Sequence, residues 1–559
     1  MSPVLRSNLP VGSPRWATRR AQWRSLGLSV EDLEKPKIAV VNSSSDLAPC
    51  FSHLDGICGP VKQAIRDAGG VGFEIRTTAP TDFIMSAGRR GGYVLSSREL
   101  VAHDIEAAVE GAQLDGMVCL ASCDKTTPGH LMAAARLNVP TVVVACGYQQ
   151  TGVFRGEECD IEEVFLQAGH LSSGGVTLDD LSAMCDCAIA SPGVCAGMGT
   201  ANSMHCAAEA LGMTLPGSTP VRANSPAMWD VVADAGRAAV EAVLADRRPR
   251  DVLTPAAFGN AVKAVLSVSG SINTVKHLQA VAVEAEAGVD VYGLFERYAD
   301  DVPLLAGVRP NGRHSIEDFE RAGGTQALLK RLEPYLDTGV TDVRGTGLGD
   351  TLRTAEVRDD EVIRPVEDAF AYRPGIVLVR GSLAPETGIV KLAVDDDRPT
   401  TFAGPAVVYE ALDTAMTAVK AGEVRPGDVV VLRGLGPRGT PGMGMASQLV
   451  FALDGAGLSG QVAVVTDGQL SGLVNKGIVV GEVQPEAADA GPIAVVRDGD
   501  KISVDLTTRT VHLDVPEQDV RARLAAVEAA PGPAQPGWLS LYARSVQPLT
   551  SGAVLSREP

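Results

Sequence analysis

No two of the ten cysteines follow the C-x-x-C spacing of zinc ribbons and bacterial ferredoxins. No apolar run approaches the ~18–20 residues a helix needs to cross a bilayer, so no membrane-spanning helix is expected. The first residues, Met-Ser-Pro-Val-Leu-Arg-Ser-Asn, hold no apolar core, and no secretory signal is expected either. Positive charge is also short. Lys and Arg number 49 against 68 Asp and Glu, giving a formal net charge of −19 and a pI near 4.9. That balance argues against a nucleic-acid binder or a protein drawn to an anionic membrane. An anionic substrate therefore needs a local cationic device, such as a metal or a helix N-terminus. Internal repeats and low-complexity tracts are absent as well. Ten cysteines without a leader read as thiols or ligands in a reducing cytoplasm, not as a disulfide framework.

What is present is a long α/β text. At 559 residues the chain exceeds the size of one hydrophobic core. Short apolar strands, Lys37–Asn42, Asp115–Leu120 and Pro140–Ala145, alternate with helical stretches over Leu54–Ala68 and Gly129–Leu137. This alternation predicts a parallel, doubly wound sheet, with ligands off the carboxyl ends of its strands. Residues from about 200 to 335 read as mostly helical. Beyond about 365 the character changes. β runs at Gly375–Arg380, Asp428–Arg433, Val462–Thr466, Ile493–Arg497, Lys501–Asp505 and Thr510–Asp514 are separated by Gly and Pro turns. The expectation is an N-terminal α/β/α domain over 1–365 and a β-barrel-like domain over 366–559.

Three cysteines stand about seventy residues apart in loop-like stretches. They are Asn42-Ser-Ser-Ser-Asp-Leu-Ala-Pro-Cys50, Cys123-Asp124-Lys125-Thr-Thr-Pro-Gly129, and Gly193-Val-Cys195-Ala-Gly-Met-Gly-Thr-Ala-Asn202-Ser-Met204. Lone cysteines on separate loops point to one inorganic centre inside the fold, with an iron left open to substrate. Cys119 and Cys146 lie in apolar strands and read as small hydrophobes. Cys185 and Cys187 read as bystanders. His53 suits either a structural role or one toward the Cys50 thiolate, and Asn202 sits at a helix start that favours anions.

These motifs resemble those of the iron–sulfur dehydratases, the family of dihydroxy-acid, sugar-acid and phosphogluconate dehydratases. The resemblance runs from about Lys37 to Arg523. It includes Glu209-Ala-Leu-Gly-Met-Thr-Leu-Pro-Gly217, Gly381-Ser-Leu-Ala-Pro385, Gly436-Pro-Arg-Gly-Thr-Pro-Gly-Met443, Thr466-Asp-Gly-Gln-Leu-Ser471-Gly472 and Pro485 to Asp500. It implies a homodimer or homotetramer that strips water from a 2,3-dihydroxy acid to give a 2-oxo acid. It further implies a [2Fe–2S] cluster on Cys50, Cys123 and Cys195. Mg²⁺ is implied on Asp82, Asp124 and Lys125, the lysine in N-carboxylated form, with Ser471 as general base. The lysine's other reading is a partner for the substrate carboxylate.

Two positions depart from the pattern. Met445 stands where the family carries a glutamate for Mg²⁺, and a thioether is a poor ligand for that ion. Arg89 and Arg90 replace the usual acidic or histidine residue after Asp82. The main expectation is a hydro-lyase of the dihydroxy-acid dehydratase type, the type associated with branched-chain amino acid biosynthesis, although the two departures favour a paralogue with altered substrate or metal use over that housekeeping role. The alternatives are an aldonate dehydratase, or a metal-altered paralogue with a specialised substrate or a sensing role.

Overall fold

The computed structural model describes residues 5–88, 91–171, 174–393, 398–472, 474, 476–527 and 536–555. Arg89 and Arg90 lie outside the described residues. Four strands near the N-terminus, β1 (Lys37–Asn42), β2 (Val71–Arg76), β3 (Gly116–Ala121) and β4 (Thr141–Ala145), form a sheet in the order β2-β1-β3-β4. All pairs are parallel. Every residue of β1, β3 and β4 is buried, as continuous Val, Ile, Leu and Ala runs require when helices cover both faces. Helix Leu54–Asp67 packs on Pro226–Leu244, and Tyr93–Ala112 packs on Thr126–Leu137. Residues 200–335 are mostly helical as expected, with Thr200–Ala210, Pro255–Ser267 and Asn273–Glu284 among the most deeply buried.

A small hairpin, β5 (Gly152–Phe154) and β6 (Glu157–Cys159), interrupts the helical text. The remaining strands are β7 (Ile376–Val379), β8 (Thr387–Lys391), β9 (Thr401–Tyr409), β10 (Val429–Leu432), β11 (Ala463–Thr466), β12 (Ile478–Gln484), β13 (Lys501–Asp505) and β14 (Thr510–Leu513). They form one sheet in the order β14-β13-β9-β10-β11-β12-β8-β7. Its two edges meet at a bridge between Arg380 and Thr510, so the sheet curls almost into a barrel. The α/β class and the barrel-like second sheet are as the sequence predicts. One element differs. Ile493–Arg497 reads as a strand but forms a 3₁₀ turn, Pro492–Val495. Pro492 has no ladder donor and suits the first helical position, while Ile493 and Val495 are still buried.

A deeply buried ion pair ties helix Asn273–Glu284 to β12 of the second sheet. Lys276 Nζ, on helix Asn273–Glu284, donates to Glu482 Oε1 of β12, with side-chain exposures of 0% and 4%. Lys276→Met leaves a buried carboxylate without its cation. The expected loss in chemical denaturation is about 3–5 kcal/mol. A loss under about 1 kcal/mol, typical of an exposed pair, would contradict this account of the junction.

Candidate active site

β1 and β3 are neighbours, and the chain leaves both at their carboxyl ends. β1 leads to the short helix Pro49–Ser52, which carries Cys50. β3 leads directly to Ser122-Cys123-Asp124-Lys125. The Ser122 hydroxyl donates to the Cys50 carbonyl, and the Cys123 thiol lies within hydrogen-bonding reach of the Cys50 side chain. The third loop is tied to the first by Gly193 N–H, which donates to the Pro49 carbonyl at 3.2 Å. Gly193 has φ +127, and a Cβ there would lie 2.5 Å from Gln149 N, so only glycine fits. Asn202 Nδ2 donates to the carbonyls of Cys195 and Gly197, at 2.9 and 2.7 Å, and so shapes the turn that presents Cys195.

Carboxylates share this place. Asp82 opens the helix Asp82–Met85 and accepts from Lys125 Nζ at 2.8 Å. Burial alone would lower the Lys125 ammonium, but Asp82 and Asp124 outweigh it and hold it above its ordinary range. Burial, and then repulsion from Asp82, pushes the Asp124 carboxyl up to about 7. Asp82 Oδ1 and Asn202 Oδ1 are buried without a hydrogen-bond partner in the structure.

The barrel-like region supplies the opposite wall. Gly442, with φ +84, packs so closely on the Gly92 carbonyl that a Cβ would lie 1.6 Å from its oxygen. This contact docks the Gly434–Ala446 loop beside helix Tyr93–Ala112. Met445 then bridges Gln469, and its sulfur accepts from Gln469 Nε2 at 3.4 Å. Ser471 follows β11, and its N–H donates to Ser447 Oγ at 2.7 Å. Between the walls is a cavity of about 210 Å³. Asp82, Cys123, Asp124, Cys195, Asn202, Met445 and Ser471 line it. Cys50 and Lys125 are buried and are not among these lining residues; Cys50 contacts Cys123 and Lys125 pairs with Asp82.

Other lining residues carry no local signal in the sequence. Glu162, in the helix Ile161–His170, faces the third cysteine loop: a Cβ on Gly197 would lie 2.6 Å from its Oε1. Burial, then Asp160 and Asp124, pushes its carboxyl up to about 8. Locally it looks like any first-turn acid behind an Asp N-cap. Thr200, Asn273, Ser447 and Gln448 also reach the cavity. So do Phe83 and Phe165, which meet edge-on at 5.5 Å between ring centroids.

Several motif residues stand aside. His53 Nε2 bonds to the Cys146 carbonyl at 2.7 Å, and burial lowers its pKa, so it is a structural histidine. Burial raises the thiols of Cys119 and Cys146, as suits core side chains. Cys187 packs near Cys159 and Met184, and Cys185 is exposed.

The donor set suits a metal centre. Contact with Cys50 and burial push the Cys123 thiol well up, and burial and then Glu162 do the same for Cys195. Buried thiols so arranged become thiolates only against added positive charge. Among the described residues no three His, Cys, Asp or Glu side chains close around a single point. The donors are gathered around one cavity.

The fold and site define a two-part α/β enzyme whose cavity joins thiols, carboxylates and a serine. Residues 35–351 match the Dihydroxy-acid/6-phosphogluconate dehydratase N-terminal family and residues 361–553 its C-terminal counterpart. The chain belongs to the dihydroxy-acid/6-phosphogluconate dehydratase family. It is 38% identical over 545 residues to a protein of Caldicellulosiruptor saccharolyticus named dihydroxy-acid dehydratase, covering 96% of this chain and 98% of the relative. A protein of Methanothrix thermoacetophila with the same name is 38% identical over 557 residues, 99% of this chain and 100% of the relative. A third, from Hydrogenobaculum sp. (strain Y04AAS1), is 36% identical over 549 residues, 97% and 98% respectively.

Proposed function

We propose that this chain is a hydro-lyase that dehydrates a 2,3-dihydroxy carboxylic acid to a 2-oxo acid, in the manner of a dihydroxy-acid dehydratase. The observation that carries the reading is the single cavity shared by Cys123, Cys195, Asp82, Asp124 and Ser471, drawn from both regions of the chain. We assign residues 1–365 to the domain holding the inorganic groups and 366–559 to the domain holding the serine. Cys50, Cys123 and Cys195 would hold a [2Fe–2S] cluster, and Asp82, Asp124 and an N-carboxylated Lys125 would hold Mg²⁺. Bound there, these groups supply a Lewis acid for the C3 hydroxyl and positive charge for the carboxylate and the C2 hydroxyl.

The chain's own residues do the rest. Ser471, which lines the same cavity as Asp124, takes the C2 proton as its alkoxide and is left as the neutral hydroxyl, while hydroxide leaves C3 with its electron pair. The resulting enol tautomerises to the 2-oxo acid. A serine hydroxyl ionises only beside strong positive charge, which explains why the base and the metal donors share one cavity. The free N–H groups at the start of helix Thr200–Ala210, whose N-cap Gly199 has no side-chain cap, favour the anionic end of the substrate.

Phe83 and Phe165, packed edge-on, make one side of the cavity apolar, and Met445 adds an apolar side chain from the barrel-like region. That side suits the alkyl branch of a dihydroxy acid better than the polyol of an aldonate, and it supports a role in branched-chain amino acid synthesis. The expected partner is the small acid alone, with no nucleic acid or membrane. Among the described residues no helix is long and apolar enough to cross a membrane. We place the enzyme in the cytoplasm as a homodimer or homotetramer.

The reading is tested by 2-oxo acid formation from 2,3-dihydroxyisovalerate against arabinonate, xylonate and gluconate. Preference for the first is expected, and turnover confined to the aldonates would reassign the substrate. Met445→Glu is expected to tighten Mg²⁺ binding, since it adds a hard oxygen to the donor set. An unchanged Mg²⁺ dependence would mean that position 445 does not face the metal.

A further inference from the structure

A chain of buried polar groups runs from the ion pair between helix Asn273–Glu284 and β12 to Asp124. Lys276, already paired with Glu482, also donates to Asn273 Oδ1. This contact fixes the amide: an ammonium cannot accept, so the oxygen must face Lys276 and Nδ2 must face away. Asn273 Nδ2 accordingly donates to Thr200 Oγ1 at 3.0 Å. Ser271 Oγ lies 2.9 Å from the same Thr200 oxygen and is itself an acceptor for Asn273 N–H at 3.2 Å. With that acceptance made, the Ser271 proton is free to point at Thr200. Thr200 then accepts twice, and its own proton is left for Asp124, which lines the same cavity and whose charged form the Thr200 hydroxyl favours.

Lys276, Asn273, Thr200, Ser271 and Glu482 are each no more than 4% exposed. Where water is excluded, aligned donors polarise one another and hold one orientation. Neither Asn273 nor Lys276 belongs to any of the sequence motifs. Ser271 meets the serine loop too: a Cβ on Gly472 would lie 2.7 Å from its Oγ.

We propose that Lys276 is a positioning residue for Asp124, acting through Asn273 and Thr200, so that the barrel-like region, by way of Glu482, orders a metal donor of the other region. The proposal rests on the reading of Asp124 as a divalent-metal ligand given above. Supporting groups of this kind change metal affinity when removed, typically by about 10–100-fold, while leaving the ligands themselves in place.

The test uses anaerobically purified, full-length protein freed of Mg²⁺, with Mn²⁺ as probe and free ion read by electron paramagnetic resonance. Thr200→Val keeps the shape of the side chain but removes its donor, and Asn273→Leu cuts the next link. Each is expected to weaken Mn²⁺ binding about ten-fold or more, with iron content, visible spectrum and unfolding midpoint unchanged. Thr200→Ser restores the hydroxyl and is expected to bind as the wild type does. Lys276→Met combined with Glu482→Met removes both buried charges without orphaning either, and it should match Asn273→Leu. Adding Asn273→Leu to that pair should cost no further affinity, since the links act in series.

Wild-type affinity in Thr200→Val and in the Lys276→Met/Glu482→Met protein would overturn the proposal. If Asn273→Leu loses iron or unfolds, the comparison of Thr200→Val with Thr200→Ser decides alone. Asp124→Asn separates the two levels of inference. If it binds Mn²⁺ like the wild type, the metal reading of Asp124 falls and the relay with it. If it loses Mn²⁺ while the Thr200 variants do not, only the relay falls.

Discussion

Cys123→Ser is expected to yield a folded, colourless protein without turnover. The loop around Cys123 is held by its backbone and neighbours: Thr126 Oγ1 donates to the Cys123 carbonyl at 3.0 Å and accepts from Ser122 N–H at 3.1 Å. Changing sulfur to oxygen therefore leaves the loop in place and removes only the soft donor. A serine oxygen is a poor substitute for a thiolate toward iron–sulfur clusters, which select soft ligands. It also faces the same burial that already disfavours charge on Cys123. Iron and visible absorbance should disappear together with activity. A Cys123→Ser protein that keeps its colour and its rate would show that this sulfur is not a ligand.

Ser471→Ala is expected to do the opposite to the spectrum and the same to the rate. The residue contributes no sulfur or carboxylate to the donor set, and its N–H still donates to Ser447 Oγ after the side chain is shortened. Iron content and absorbance should stay at the wild-type level. The lost proton acceptor should lower kcat by about 10²–10⁴-fold, the usual contribution of a placed acid–base group. KM should change little, because carboxylate and hydroxyl recognition reside elsewhere in the cavity. A near-normal kcat would move the base role to another group, and Glu162, which borders the same cavity, would then be the first to test.

The parts of the site that sequence exposes best are those fixed by strand ends. Cys50 and Cys123 follow β1 and β3, whose short, continuously apolar cores are unmistakable, and ligands gather off such carboxyl ends in parallel sheets. Ser471 is visible for the same reason, following β11 in a Gly-flanked turn. Less regular strands were hidden. β2 (Val-Gly-Phe-Glu-Ile-Arg) is only half-buried, and β9 contains Gly404 and Pro405 in mid-strand, which weakens any local strand signal. Ile493–Arg497 shows the reverse error, since a β-like composition was overridden by Pro492.

Site residues contributed by helix interiors were the hardest to see. Asn273 and Lys276 lie in Asn-Thr-Val-Lys-His-Leu, a helix whose polar side chains are buried only because other helices and β12 enclose them. Glu162 becomes distinctive only when the glycines at 197 and 199 come to face it. Such residues acquire their roles from tertiary contacts that local propensity does not encode.

The most direct test of the central claim is iron and acid-labile sulfide analysis of the anaerobically purified wild-type protein beside single Cys50→Ser, Cys123→Ser and Cys195→Ser variants. The account predicts two irons and two sulfides per wild-type chain and their loss in all three variants. Zinc in place of iron, or wild-type iron in any one of the three, would contradict it.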